Sequence, residues 1–355
     1  MPSQPPLPHL LTPYISSPPS SLTAVSSVLG ATGNWLVLRF LCAALSSSST
    51  SHAGPGPQGG GKRKVVLVSF LRGWDFWRSE AKRLGLDLAR LTEKRQFAFV
   101  DGVSELFSPP TTTPSSTPIQ HAGFGASPRA NLPDRSHSSL PGRGPIQSRQ
   151  PAPPAASANG SSPQTTAREI GPVKRLHLQG SGLITIDDLE KDITTVINQL
   201  KTPSPGEDGE ESEVLLVVDQ PDLLLAATGP NKGIGATEVG EWIMVLQQAA
   251  STTVVTISAD SPLIHNASAL AHQTATPLET EHAAFAVGLA HRAEMVMQLR
   301  NLETGAARDV SGVLRVSKGG AWGQRETVGE ESWEEKELLY FVQRDGGVSV
   351  FGRGE

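Results

Sequence analysis

Residues 22–41 read LTAVSSVLGATGNWLVLRFL. An apolar run over 22–29 ends at Gly30, and the loop Gly30-Ala31-Thr32-Gly33-Asn34-Trp35 follows. Beyond it, apolar side chains recur at Trp35, Leu38, Leu41, Cys42 and Leu45. The first run has the length of a strand, and the second has the spacing of a helix with one apolar face. A strand passing through a glycine loop into a helix is the unit from which parallel α/β sheets are built. Its loop is where such sheets hold phosphates.

The same alternation continues outward. Residues 65–70 form a continuous β-branched run, the mark of a strand buried on both faces. Residues 75–84 are predicted helical with Asp75 as N-cap, and 97–100 as a strand. A helix is predicted over 187–200, with Leu189, Ile193, Val196, Ile197 and Leu200 on one face. A strand over 214–218 ends at Asp219, a helix over 239–250 is capped by Thr237, and a strand and a helix follow at 253–258 and 281–290. From 295 the pattern changes to strands at 295–302, 310–318, 338–343 and 348–351, joined by turns such as Glu303-Thr304-Gly305 and Asp345-Gly346-Gly347. These elements predict an α/β fold of P-loop type: a mainly parallel sheet, helices on both faces, and C-terminal antiparallel hairpins.

Composition divides the 355 residues into four segments. Residues 1–20 are rich in Pro and Ser and predict no regular structure, although Leu10, Leu11 and Tyr14 could dock on the core. Residues 21–107 and 173–355 form the two parts of one domain. Between them, 108–172 hold Pro, Ser, Thr, Ala and Gly with too few apolar side chains to offset the entropy of ordering, which predicts a disordered insertion. Shorter flexible loops are predicted at 46–61 and 203–213.

The formal net charge of −5 neither demands nor excludes nucleic acid, because a local basic patch decides that question. Cys42 is the only cysteine, which excludes an intrachain disulfide and a cysteine zinc site and suits a reducing compartment. The first residues lack the basic-then-apolar order of a secretory signal. The apolar stretch 22–45 is broken by Gly30, Gly33, Asn34 and Arg39, so a soluble protein without a membrane span is expected.

A working phosphate loop needs a lysine for the β- and γ-phosphates and a hydroxyl for magnesium. Here Asn34, Trp35 and Leu36 stand where a Lys-Ser or Lys-Thr pair would be. A tight strand-to-helix turn explains the loop better than a nucleotide site does, and the nucleotide loop is read as degenerate. Residues 215–220, LLVVDQ, resemble a Walker B strand, but Gln220 cannot act as the base that would follow Asp219. Asp219 is therefore expected to be a strand-end residue bonded to nearby backbone N–H groups. No catalytic, cofactor-binding or metal-ligating residue is assigned.

Gly-Ala-Thr-Gly also opens the dinucleotide loop of atypical short-chain dehydrogenases. That pattern wants a glycine where Leu36 stands, and a Tyr with a Lys four residues on. The tyrosines are Tyr14 and Tyr340, Arg344 lies four after the latter, and Arg72 could face a 2′-phosphate. An NAD(P)-dependent reductase is the second reading, and a divergent NTPase the third. The histidines show no metal spacing; His282 and His291, nine apart on a helix, are expected to be core or solvated. Trp74, Phe76 and Trp77 read as core or interface rather than a base-stacking platform, with at least one exposed or covered by a partner. Lys62-Arg63-Lys64 and Arg129, Arg135, Arg143, Arg149 and Arg168 could touch phosphates or merely be solvated.

Taken in order, LTAVSSVLGATGNWLVLRFL (22–41), VVLVSFLRGWDFWRSEAKRLGLDLARL (65–91), FAFVDG (97–102) and LLVVDQPDLLLAATG (215–229) resemble the sixth subunit of the Elongator complex in its fungal form. The resemblance covers most of both structured blocks and neither Pro-rich segment. It implies a RecA-like fold without a working Walker A motif and no enzymatic activity of its own. It also implies a heterohexameric ring with the fourth and fifth Elongator subunits, attached to the remaining subunits, that binds tRNA and assists modification of the wobble uridine. The location it implies is cytoplasmic, with the nucleus as a further site.

Overall fold

The computed structural model describes residues 8–16, 18–46, 63–109, 170–180, 183–203, 211–228, 233–264, 274–305, 307–324 and 333–353. A 3-10 turn, His9–Leu11, leads into α1 (Thr12–Ile15), β1 (Leu22–Ser27) and α2 (Asn34–Ser46). Then come β2 (Lys64–Ser69), α3 (Trp74–Arg83), α4 (Leu88–Glu93), β3 (Phe97–Asp101) and β4 (Lys174–Arg175). Next are α5 (Leu183–Lys201), β5 (Val214–Asp219), α6 (Leu223–Thr228), α7 (Ala236–Ala249) and β6 (Thr252–Ser258). The chain continues through α8 (Ser261–Ile264), α9 (Pro277–Arg292), β7 (Met295–Arg300), β8 (Gly312–Lys318), β9 (Lys336–Val342) and β10 (Val348–Gly352).

The strands form one ten-stranded sheet in the order β10-β9-β8-β7-β1-β6-β5-β2-β3-β4. From β7 to β4 all neighbours are parallel, and β8, β9 and β10 extend the sheet as an antiparallel meander. The fold is therefore α/β with a mostly parallel, mixed sheet.

Alternate residues of each central strand feed two separate cores. Val25, Leu67, Phe99, Val217 and Val254 pack with α1 to α4 on one face. Val66, Val68, Val100, Val218 and Val255 pack with α5, α6, α7 and α9 on the other. Burial on both faces is why these strands read as unbroken apolar runs, with no polar alternation. The meander differs: Leu314, Val316, Leu338, Tyr340 and Val350 face the first core, while Arg315 and Lys336 are exposed.

Several local expectations are corrected. Residues 9–15 are helical, and Leu11, Tyr14 and Ile15 are buried. Gly73, not Asp75, caps α3, which leaves Asp75 in the first turn. Helix α7 begins after Gly235, ahead of Thr237. There Glu238 accepts from the Gly235 N–H at 2.8 Å and Glu281 of α9 accepts from the Ala236 N–H at 2.7 Å. At the insertion, order persists on both flanks: His177 Nδ1 lies 3.1 Å from the Ser108 carbonyl oxygen, and the Val173 N–H donates to Phe99 O at 2.9 Å. Of the insertion expected at 108–172, residues 110–169 lie outside the described residues, as do most of the loops expected at 46–61 and 203–213.

Candidate functional site

The loop after β1 sits where the winding of the sheet reverses. Helix α2 leaves β1 toward one face, and the chain leaving neighbouring β6 continues into α9 on the other. In open α/β sheets that boundary is the ligand crevice. Here neighbouring loops bond to it on both sides. The Ala259 N–H donates to Ser27 O at 2.8 Å, and the Leu29 N–H donates to Asp260 Oδ1 at 2.8 Å. On the other side, Asn301 Nδ2 donates to Leu29 O at 3.1 Å.

Gly30 adopts a φ of +89°, and a Cβ there would stand 3.3 Å from Asn301 Oδ1. Glycine is needed for this turn whether or not a ligand binds. Gly33 opens the helix, with its carbonyl accepting from the Leu36 and Val37 N–H groups. Trp35 and Leu36 are both buried, and Trp35 lies against the Tyr340 ring with centroids 4.9 Å apart. The first turn of α2 thus anchors the core at the place where a phosphate loop presents its lysine and hydroxyl.

Asp219 ends β5, level with Ser69 of β2 and Thr256 of β6. Its carboxylate is buried and accepts from the Ser69 hydroxyl at 2.8 Å and the Thr256 hydroxyl at 2.9 Å. Arg72 Nη1 approaches both carboxylate oxygens at 3.3 Å. The expected backbone N–H partners are replaced by two hydroxyls and a guanidinium. Burial pushes the Asp219 carboxyl above the usual range, and Arg72 and the two hydroxyls partly offset this. Arg72 in turn lies over the rings of Phe76 (5.3 Å) and Trp77 (5.9 Å). The protein itself therefore supplies a cation to this carboxylate.

Gln220 follows at a φ of +58°, uncommon for a residue with a side chain. Its N–H lies 3.0 Å from Thr256 Oγ1, and its Oε1 accepts from the Ser258 hydroxyl at 2.7 Å. These bonds hold the strained turn and leave Gln220 buried. Nearby, Asp222 Oδ2 lies 3.2 Å from both the Ser258 N–H nitrogen and His282 Nε2, while His282 Nδ1 faces the Leu263 carbonyl at 3.3 Å. His282 is a core residue joining α9 to the start of α6; His291 is exposed.

The features of the reductase reading fall apart in space. Tyr340 lies in antiparallel β9, and burial pushes its hydroxyl up to about 12, opposite to what a proton-donating tyrosine needs. Arg344 is an exposed turn residue, Arg72 is committed to Asp219, and Tyr14 donates to the Glu334 carbonyl at 2.9 Å. The first strand is separated from β2 by β6 and β5, whereas the dinucleotide order 3-2-1-4-5-6 places the first two strands side by side.

The basic run after the first loop is also committed. Arg63 pairs with Glu213 at 2.9 Å, and buried Lys64 donates to Leu200 O at 2.9 Å. Lys62 and the five insertion arginines lie outside the described residues. Trp74 and Trp77 are buried, and Phe76 is half-buried. Among the described residues no cluster of His, Cys, Asp and Glu could hold a metal, and no helix is long and apolar enough to cross a membrane. No protein-family model matches the chain, and neither does any curated protein.

Proposed function

We propose that this chain is a non-catalytic, RecA-like subunit of the Elongator complex. It forms a heterohexameric ring with the fourth and fifth subunits, and the ring binds tRNA and supports wobble-uridine modification carried out elsewhere in the complex. The observation that carries the non-catalytic part is the Arg72–Asp219 pair. A guanidinium and two hydroxyls already satisfy the carboxylate where an NTPase would keep magnesium. The buried Trp35 and Leu36 support the same reading, because no lysine or hydroxyl reaches the loop from α2. The Elongator part rests on the ordered resemblance of residues 22–41, 65–91, 97–102 and 215–229, to which the mostly parallel α/β sheet conforms.

The test is the tRNA of cells lacking this chain. Nucleoside mass spectrometry is expected to show loss of wobble-uridine modification, restored by the parent chain and equally by a Gly33→Ala variant of the loop. Unchanged wobble uridines would remove the proposal.

A further inference from the structure

Arg39 lies on the second turn of α2 and is 1% exposed. Its guanidinium makes no hydrogen bond or ion pair among the described residues, and its Nε is buried without a partner. A guanidinium held this deep without an anion is unfavourable, and burial lowers its pKa accordingly. It borders a cavity of about 280 Å³ between α2, the end of α3 and the β9–β10 hairpin. Trp35, Leu38, Leu84 and Tyr340 give this cavity apolar walls, and Thr32 and Asn34, at the start of α2, bring it polar groups.

We propose that this cavity binds a small monocarboxylate with an aromatic or branched apolar body. A guanidinium fork matches a carboxylate in two parallel hydrogen bonds. The start of α2 adds the positive end of a helix to the same cavity. The apolar walls suit the body of such a molecule, as in other small-ligand pockets. One cation serves the site, and the Glu80 carboxylate, paired with Arg83 at 3.0 Å, stands on its wall. That balance favours a single negative charge over a phosphate dianion or a polyphosphate. The site shares no residue with the Asp219 network and does not depend on the ring assignment.

The test uses the purified full chain with phenylacetate as probe, read by tryptophan fluorescence because Trp35 lines the cavity. Saturable binding in the millimolar range or tighter is expected, with a raised melting temperature. Inorganic phosphate and phenylethylamine at matched ionic strength are expected to give no response. Arg39→Met removes an unpaired buried charge, so it should fold at least as well as the parent and bind at least about tenfold more weakly. Val342→Trp, placed at the exposed rim, should fill the cavity and abolish binding with an unchanged circular dichroism spectrum. Absence of a saturable response to phenylacetate, equal binding of phosphate, or parent-like affinity in both variants overturns the proposal. So does tighter binding of a short peptide ending in a free phenylalanine carboxylate.

Discussion

Arg72 and Asp219 are 147 residues apart in sequence and 3.3 Å apart in the fold. Breaking a buried pair from one side leaves the other charge uncompensated. Arg72→Met is therefore expected to cost about 3 kcal/mol at neutral pH, read from chemical denaturation. The pH dependence follows from the position of Asp219, whose carboxyl is already raised by burial while Arg72 opposes the shift. Without Arg72, the folded-state value rises further. A raised carboxyl makes the folded state most stable below the unfolded-state value of about 4 and weakens it as pH climbs through the folded one. The stability gap between variant and parent should thus narrow toward about pH 4 and be widest at neutral pH. A gap that widens on acidification would mean that Asp219 is not the group left exposed to the loss of Arg72.

At the scale of elements, the β1–α2 unit was legible because its two halves carry different apolar periods: a run over Leu22–Ser27, then helical spacing over Asn34–Ser46. The doubly buried strands β2 and β5 were legible for the related reason that both of their faces are apolar. What was not legible depended on distant partners. The start of α7 is fixed in part by Glu281 of α9, and Asp219 is satisfied by side chains of β2, β6 and the loop after β2. The short elements α4, α6 and β4 have two to six residues, too few to show a period. The cavity beside Arg39 joins α2 to a hairpin some 300 residues on, and a sequence gives no sign of such a void.

Placing a Lys-Thr pair at the start of α2 is not expected to confer nucleotide binding. Replacing Asn34 and Trp35 by Lys and Thr removes the ring that packs on Tyr340, at a cost of about 3–5 kcal/mol. It also leaves Asp219 occupied by Arg72. Calorimetry with magnesium and ATP should show no micromolar binding to the parent or to the grafted chain. Helix α3 gives a second, separable expectation. Trp77 is fully buried, so Trp77→Glu should unfold the chain, whereas half-buried Phe76 should accept Glu with a native circular dichroism spectrum and weaken ring assembly. If Phe76→Glu leaves assembly untouched, the proposed ring does not use this face.

In the whole molecule, the described residues on either side of 111–169 meet in the sheet, where β3 pairs directly with β4, and deleting 111–169 would leave a gap between two flanks of one unit. Closing such a gap with a short linker changes loop entropy only slowly with length. Deleting 111–169 should therefore shift the melting temperature by no more than a few degrees, and a large drop would show that the segment packs on the sheet. The larger consequence concerns assembly. Asp260 and Asn301 bond to the loop after β1, and Arg72 pairs with the acidic end of β5 from within the chain; on the proposed reading, the chain acts through the surfaces it offers to others. The most direct measurement is the mass of the species formed when this chain is co-expressed with the fourth and fifth Elongator subunits, taken by native mass spectrometry. One heterohexamer containing all three chains is expected. A mixture in which the other two subunits assemble while this chain stays separate would contradict it.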